Sequence, residues 1–216
     1  MKPKGIVVFD VDGVLTNGAF SLEIASKLGI DLDDIVNNID NSIKSGGDPI
    51  AEVKKGISLF KGTHYIDILK IVRETPLIKN AKEAIDKLHD LGYKVALISH
   101  GIADFAIHDL ALRLGADFSH SIGMVLDDNG VLTGEMYGIL GNKEKIIHDI
   151  IRLEGLSLDD VVLVADDKYH RDYFGICGAS IAFNACPELR EVADYVVDSD
   201  DLMDIIPVIQ RISSER

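Results

Sequence analysis

Four aspartates occur in two close pairs, and each pair directly follows a short apolar run. Asp10 and Asp12 are separated by one residue, while Asp166 and Asp167 are adjacent. Carboxylates that lie close together repel one another unless a cation is bound between them. Mg²⁺ prefers oxygen ligands, and it usually takes one or two carboxylates together with water and substrate phosphate. The two pairs therefore indicate a magnesium site that acts on a phosphorylated substrate.

A hydroxyl and an ammonium group add to this set. Ser99 follows the apolar run Tyr93–Ile98, and Lys143 opens a segment with helical periodicity. Both groups can bind the oxygens of a phosphoryl group, the lysine as a point charge. Together with the aspartates, these residues predict phosphoryl transfer.

Each signal has an ordinary explanation when it is taken alone. An Asp-x-Asp-Gly sequence can begin a calcium loop, but the third ligand position of such a loop is Val14 here and the twelfth is Ser21. A lone Ser99 is explained equally well as a helix N-cap, and a lone Lys143 as a solvated lysine. Only the ordered set of residues favours a site.

Apolar runs of strand length alternate along the chain with segments of helical periodicity. The runs are typical of parallel strands that are buried on both faces; they are Gly5–Phe9, Tyr93–Ile98, Val161–Ala165, Ala179–Phe183 and Tyr195–Val197. The segments Ile78–Leu91 and Ile102–Leu114 are predicted helices, each followed by a glycine. This alternation predicts an α/β fold with a doubly wound parallel sheet. Ligands of such sheets bind beyond the carboxyl ends of the strands, so the aspartates and Ser99 are expected in one crevice.

Two stretches interrupt the alternation. The turn sequence Asp127–Gly130 lies between two β-like runs from Ile122 to Tyr137 and predicts a β-hairpin. A longer stretch has only helical patterns, which predict helices at Leu22–Leu28, Leu32–Ile43, Ile50–Phe60 and Tyr65–Val72. We therefore predict a core domain of residues 1–17 and 76–216, with an all-helical cap domain of residues 18–75 inserted after the first strand.

Composition excludes several classes of function. The chain of 216 residues has 36 acidic and 22 basic residues, which give a net charge of −14 and disfavour binding to nucleic acid or anionic lipid. Its apolar runs are too short for a membrane span or a secretory signal, and its two cysteines lack the spacing of a zinc site. A cytoplasmic location is expected.

The motifs resemble those of a known superfamily. Phe9–Thr16, which reads Phe-Asp-Val-Asp-Gly-Val-Leu-Thr, is similar to the first motif of the haloacid dehalogenase (HAD) superfamily, and Ser99, Lys143 and the pair Asp166-Asp167 follow in the order of its other motifs. Leu126–Gly134 and Gly178–Asp194 are similar to segments of the phosphoserine phosphatase branch. The resemblance implies a Rossmann-like HAD core with a helical cap.

The resemblance also implies roles for these residues. Asp10 would be the nucleophile that forms an aspartyl-phosphate, and Asp12 the general acid and base, which excludes dehalogenase chemistry. Mg²⁺ would be held by the Asp10 side chain, the Asp12 backbone carbonyl and Asp166. Ser99 and Lys143 would bind the phosphoryl oxygens.

The chain departs from the branch pattern at two of its motifs. The usual Gly-Asp-Gly-x-Asn-Asp is replaced by Ala165–His170, so that Tyr169 and His170 stand where an asparagine and an aspartate are expected. Asp167 is predicted to replace the missing carboxylate as a support for the metal ligands. His100 stands where a glycine usually follows Ser99, and we predict that it lies near the substrate phosphate.

The cap departs from the branch as well. The glutamate and the arginine that bind the amine and carboxylate of phosphoserine align with Ala19 and Gly56. Charge-assisted bonds of this kind contribute about 1.5–3 kcal/mol each, so we predict that phosphoserine is a poor substrate.

These observations together predict a Mg²⁺-dependent phosphatase that hydrolyses a small phosphorylated metabolite. Two alternatives stay open. One is a catalytically degenerate member that binds a phosphorylated ligand or a protein partner. The other is a phosphomutase or phosphotransferase that uses the same residues.

Overall fold

A seven-stranded sheet forms the centre of the protein. The computed structural model describes residues 2–138 and 143–215. Within them the strand order is β4-β3-β2-β1-β5-β6-β7, and all neighbours are parallel except β3 and β4. The strands are β1 (Gly5–Phe9), β2 (Tyr93–Ala103), β3 (Phe118–Leu126), β4 (Leu132–Tyr137), β5 (Val161–Ala165), β6 (Ala179–Phe183) and β7 (Tyr195–Val197).

The central strands are buried on both faces, as their apolar sequences predict. Every residue of β1, β5 and β6 is buried. Val7 and Phe9 belong to the apolar core on one face of the sheet, while Ile6 and Val8 belong to the core on the other. The doubly wound α/β fold is therefore confirmed.

Helices cover the two faces of the sheet. They are α1 (Phe20–Leu28), α2 (Asp33–Lys44), α3 (Ile50–Ser58), α4 (Tyr65–Glu74), α5 (Ala81–Asp90), α6 (Asp104–Leu114), α7 (Lys143–Glu154), α8 (Arg171–Phe174), α9 (Pro187–Arg190) and α10 (Ile206–Glu215). Buried residues of α5, α6 and α10 share one core, and those of α7, α8 and α9 share the other. None of the helices in the described part of the chain is long and apolar enough to cross a membrane.

Several predicted boundaries differ from those of the structure. Helix α5 begins at Ala81 and not at Ile78, because Asn80 adopts a left-handed conformation with φ of 56° and interrupts the helix. Strand β2 does not end before Ser99 but continues to Ala103, with a shift of register against β3 between Ile98 and Ala103. Helix α6 consequently begins two residues later than its apolar pattern predicts.

The predicted hairpin is present. Strands β3 and β4 pair in antiparallel fashion, and the Asp127 carboxylate accepts hydrogen bonds from the N–H groups of Asn129 and Val131 in the turn. Strand β3 begins at Phe118, earlier than predicted, because its first half also pairs with β2 in the main sheet. The hairpin thus extends a strand of the sheet.

Four helices, α1 to α4, lie between β1 and α5, where the sequence predicts only helices. Apolar residues of α1 and α4, such as Phe20 and Ile68, are buried in the same core as the sheet. Helix α2 has no buried residue, and α3 buries only Gly56 and Ile57. The division into a core and a cap domain stays a prediction.

Candidate active site

Asp10 and Lys143 form a buried ion pair at the carboxyl end of β1. The Asp10 N–H donates to the carbonyl of Val164 at 2.9 Å, which fixes Asp10 against β5, and its Oδ1 accepts a hydrogen bond from Lys143 Nζ at 2.9 Å. Their side chains are 7% and 4% exposed. Burial by itself disfavours the charge, but the ammonium of Lys143 and the nearby His170 outweigh it and hold the pKa of Asp10 below its usual range. Asp10 is therefore ionised at neutral pH, and the hydrogen bond from Lys143 holds its carboxylate in one orientation.

Asp12 is a carboxyl group of a different kind. Its Oδ1 accepts a hydrogen bond from the N–H of Phe20 at 2.8 Å, at the start of α1. Burial, and then the negative charge of Asp10, raise its pKa to about 7. A carboxyl group that titrates near neutrality can both give and take a proton.

The backbone at two glycines comes very close to the carboxylates of Asp166 and Asp12. A Cβ atom at Gly13, which has φ of +74°, would lie 1.8 Å from Asp166 Oδ2. A Cβ atom at Gly101 would lie 2.3 Å from Asp12 Oδ2. Only glycine fits at these two positions while the carboxylates keep their places.

Asp166 and Asp167 follow β5 but have different surroundings. Asp166 has no cation within ion-pair distance among the described residues, and burial followed by the charges of Asp167 and Asp10 raises its pKa to about 7. Asp167 already accepts hydrogen bonds, from the Tyr169 N–H at 3.0 Å and on the same Oδ1 atom from His170 Nδ1 at 2.7 Å. Asp166 is thus the carboxylate that lacks a positive partner.

His170 is part of the site, which the sequence analysis did not predict. Its Nε2 is hydrogen-bonded to Lys143 Nζ and lies 3.6 Å from Asp10 Oδ2, while its Nδ1 faces Asp167. The residue is only 3% exposed. By comparison with the branch pattern, Tyr169-His170 indicates only the loss of an amide and a carboxylate. The spacing of three residues between Asp167 and His170, one turn of helix, was the signal that could have indicated their contact.

Tyr169 contacts the helical region that covers the site. Its hydroxyl donates to Asp40 Oδ1 on α2 at 2.5 Å, and Lys168 Nζ donates to the same oxygen at 3.0 Å. Asp40 has a third partner, because Lys44 Nζ lies 2.5 Å from its Oδ2. The loop after β5 is therefore joined directly to α2, a contact that no motif in the sequence indicated.

Ser99 and His100 lie in the irregular part of β2. Ser99 is fully buried, and its Oγ accepts a hydrogen bond from the Gly101 N–H at 3.0 Å. His100 Nε2 is buried without a hydrogen-bond partner among the described residues. Burial, and then the ammonium of Lys143, lower the pKa of His100 to about 3, so its imidazole is neutral at physiological pH.

Two adjoining cavities open above these residues. The larger, of about 550 Å³, has Asp10, Asp12, Lys143 and His170 in its walls, with residues of α2 and α3 on the opposite side. The smaller, of about 160 Å³, extends between α2, α3 and the end of β2. Ala19 lines the larger cavity and Gly56 the smaller one. Sequence positions as distant as Asp10 and His170 are thus brought to one cavity.

The residues of the site suit a hard cation. Asp10, Asp167 and His170 each place one potential ligand atom within 4.8 Å of the others, and Asp166 is not in this group. Burial, and then the negative charges of neighbouring aspartates, raise the pKa values of Asp12 and Asp166. A divalent cation would neutralise that charge, and the carboxylate oxygens are the donors that Mg²⁺ prefers.

Comparison with known proteins gives the family. Residues 5–169 match the haloacid dehalogenase-like hydrolases. The chain belongs to this family. The matched residues include the first aspartate pair at the end of β1, where the structure joins Asp10 to Lys143.

Curated and solved members of the HAD family extend the comparison over nearly the whole chain. A phosphoserine phosphatase of Methanocaldococcus jannaschii is 30% identical over 97% of this chain and 99% of that protein. A solved phosphoserine phosphatase that carries a phospho-aspartyl intermediate analogue has a TM-score of 0.80 and 30% identity, and covers 96% of this chain and 99% of that one. A substrate-bound phosphoserine phosphatase has a TM-score of 0.81 at 29% identity, over 96% and 99% of the two chains. The chain is therefore a HAD phosphatase that is similar to the phosphoserine phosphatases.

Proposed function

We propose that the protein hydrolyses a small phosphomonoester in two steps, with Asp10 as the nucleophile and Mg²⁺ as the cofactor. The observation that carries this proposal is the hydrogen bond of 2.9 Å between Lys143 Nζ and Asp10 Oδ1 in the wall of a cavity of about 550 Å³. The ammonium keeps Asp10 ionised and supplies positive charge where the phosphoryl oxygens must lie.

In the first step, a carboxylate oxygen of Asp10 attacks the phosphorus atom. A bond forms between that oxygen and phosphorus, and the bond from phosphorus to the ester oxygen breaks. Asp12 donates its proton to the departing oxygen. Its pKa of about 7 leaves a large fraction of the group protonated at neutral pH.

In the second step, the ionised Asp12 accepts a proton from water, and the water oxygen attacks the aspartyl-phosphate. Inorganic phosphate is released and the carboxylate of Asp10 is restored. The same group acts first as an acid and then as a base, which requires a pKa near the working pH. Burial next to Asp10 supplies this property.

We propose Asp10, Asp166 and the backbone carbonyl of Asp12 as the groups that hold Mg²⁺. The ion supplies positive charge that reduces the repulsion between the carboxylates and the substrate phosphate. The alternative group of Asp10, Asp167 and His170 is less suitable, because His170 offers a nitrogen ligand and is already bonded to Lys143 and Asp167. We propose that Asp167 positions His170, which in turn positions Lys143.

We further propose that Lys143, Ser99 and His100 bind the phosphoryl oxygens. Lys143 and His100 line the larger cavity. Ser99 lines neither cavity but is fully buried next to His100 in the chain, and its hydroxyl proton is free to be donated because Oγ accepts from Gly101. Helices α1 to α4, in residues 18–75, would act as the cap domain of a core formed by residues 1–17 and 76–216.

The substrate is proposed to be a phosphomonoester other than phosphoserine. The names of the relatives favour phosphoserine and do not support this part of the proposal. The cavity walls support it, because Ala19 and Gly56 bring no charge to them. Among the described lining residues, the only lysine or arginine is Lys143, which is bonded to Asp10. The carboxylate of phosphoserine would have no cationic partner of its own.

The test is phosphate release from p-nitrophenyl phosphate with and without Mg²⁺. We expect Mg²⁺-dependent release by the wild type, and its abolition by Asp10→Asn, which keeps the shape of the side chain. Asp128→Asn, at an exposed turn position, is the matched control and should keep full activity. Full activity in folded Asp10→Asn would refute the mechanism.

The same assay separates the two alternatives. A degenerate binding module would release no phosphate and would form no acid-stable phosphoprotein. A phosphotransferase would pass the phosphoryl group to an added alcohol in preference to water. Hydrolysis that is unaffected by added alcohols supports the phosphatase.

A further inference from the structure

The smaller cavity has almost entirely apolar walls. Its volume is about 160 Å³, and it lies between α1, α2, α3, α4 and the ends of β2 and β3. Ser21 and His100 are its only described lining residues with a polar side chain, and none of the lining residues carries a charge at neutral pH. The apolar side chains around it include Ile24, Ile35, Ile57, Phe60, Ile68 and Met124. A charged group placed there would lose its hydration without gaining a partner.

This cavity adjoins the larger cavity, which has Asp10 in its wall. Six residues line both cavities, so the two are continuous; these are Ser21, Val36, Ile39, Val53, His100 and Gly101. The rest of an ester whose phosphoryl group is bound at Asp10 can therefore reach the apolar side chains of the smaller cavity. Hydrophobic burial, not ion pairing, would then supply the binding energy on that side.

One buried polar atom marks the junction of the two cavities. His100 Nε2 has no hydrogen-bond partner among the described residues, and His100 lines both spaces. Buried polar atoms are nearly always satisfied, so an unpaired one beside a cavity points to a partner on the ligand. A phosphoryl oxygen at the junction, with apolar atoms of the ester beyond it, would satisfy both His100 and the walls.

We propose that the part of the substrate beyond the phosphate is an uncharged apolar group, such as the alkyl chain of an alkyl phosphate, and that it occupies the smaller cavity. This inference rests on the proposed function, because it names the class of ester that the same site hydrolyses. An apolar substrate would distinguish this chain from an enzyme that hydrolyses the phosphate ester of a zwitterionic amino acid.

The experiment compares n-alkyl phosphates from ethyl to hexyl with phosphoserine, in the presence of Mg²⁺. Each methylene that leaves water is expected to raise kcat/KM about fourfold until the chain fills the cavity. Hexyl phosphate is expected to be a better substrate than phosphoserine. A series that is flat with chain length, or a higher kcat/KM for phosphoserine, would overturn the inference while the proposed function stands.

Two variants on α2 test whether the alkyl chain lies in the smaller cavity. Ile39 lines both cavities, whereas Asn37 is exposed and lines neither. Each change, Ile39→Asp or Asn37→Asp, adds one negative charge to the same helix. Ile39→Asp is expected to lower the ratio of kcat/KM for hexyl over ethyl phosphate by about tenfold or more, because it places a charge beside the chain. The ratio for Asn37→Asp should equal that of the wild type, and an equal fall in both variants would contradict the assignment.

A binding measurement keeps the inference testable if no ester is hydrolysed. Alkylphosphonates cannot be cleaved, and their Kd values are measured by calorimetry with the wild-type protein and Mg²⁺. Tighter binding of hexylphosphonate than of ethylphosphonate, without turnover of any ester, would leave the apolar site in place and refute the phosphatase proposal. Equal affinity for the two phosphonates would refute the apolar site.

Discussion

The hydroxyl of Tyr169 donates a hydrogen bond of 2.5 Å to Oδ1 of Asp40, although the two residues are 129 positions apart in the chain. Asp40 lies on α2, whereas Tyr169 lies after β5, just beyond the pair Asp166-Asp167. The bonds from Lys44, Tyr169 and Lys168 lower the pKa of Asp40, so the carboxylate stays charged well below neutral pH. One acidic side chain thus joins the wall of the cavity to the loop beside the nucleophile.

Tyr169→Phe should loosen α2 without disturbing the sheet. The change removes only the hydroxyl, and with it one of the bonds to Asp40, and α2 has no buried residue. We expect faster hydrogen exchange of the amides in Asp33–Lys44 and unchanged exchange in α5. Tyr195→Phe is the control, since it removes a comparable bond of 3.0 Å to Glu215 at a distant position. Identical exchange of α2 in both variants would show that the Tyr169 bond does not hold the helix.

Gly101→Ala should impair catalysis by displacing Asp12. A Cβ atom at this position would lie 2.3 Å from Asp12 Oδ2, and one of the two groups must move. Loss of a positioned general acid costs about 10²–10⁴ in rate, so kcat for p-nitrophenyl phosphate is expected to fall at least about a hundredfold. Gly18→Ala is the control, because a Cβ atom there meets nothing within 4 Å. Circular dichroism should give the same spectrum for both variants, and normal kcat in Gly101→Ala would exclude this role of Asp12.

The two aspartates after β5 should differ in their effect on Mg²⁺ binding. Asp166 lacks a cationic partner among the described residues, and burial, followed by the charges of Asp167 and Asp10, raises its pKa to about 7. Asp167 is bonded to the Tyr169 N–H and to His170. Calorimetric titration is therefore expected to give a loss of about tenfold or more in Mg²⁺ affinity for Asp166→Ala and a smaller loss for Asp167→Ala. A larger loss for Asp167→Ala would favour the alternative ligand group that contains His170.

His100 should make folding stability depend on pH. Its pKa is about 3 in the folded protein and near 6.5 in the unfolded chain, so the unfolded state binds more protons between these values. The free energy of unfolding should fall as the pH is lowered from 6.5, by at most about 1.4 kcal/mol per pH unit from this group. His100→Gln removes that contribution. Urea unfolding at pH 7, 6 and 5 should give a shallower decline for the variant than for the wild type, and equal declines would contradict the burial of a neutral imidazole.

The sheet and most residues of the site were predictable because both depend on local sequence. Strands such as Val161–Ala165 are buried on both faces and are apolar throughout, so their position can be recognised directly. The aspartates follow these strands, and the parallel sheet brings their ends together. The helices between β1 and α5 were predictable from their periodicity.

The remaining features depend on contacts between distant residues. Neither the bond between His170 and Lys143 nor the bond between Asp40 and Tyr169 leaves a pattern in the sequence. The continuation of β2 beyond Ser99 depends on pairing with β3 across a shift of register. The apolar character of the smaller cavity likewise emerges only when four helices and two strand ends meet.

Helix α2 contributes no buried side chain, although Val36, Ile39 and Ile43 line the larger cavity. Replacement of these residues would leave no void in the core, so selection on stability constrains them weakly. Mutations can therefore accumulate on this face while the sheet keeps its structure. In evolutionary terms α2 is the part of the protein in which specificity can diverge between descendants without a loss of foldability.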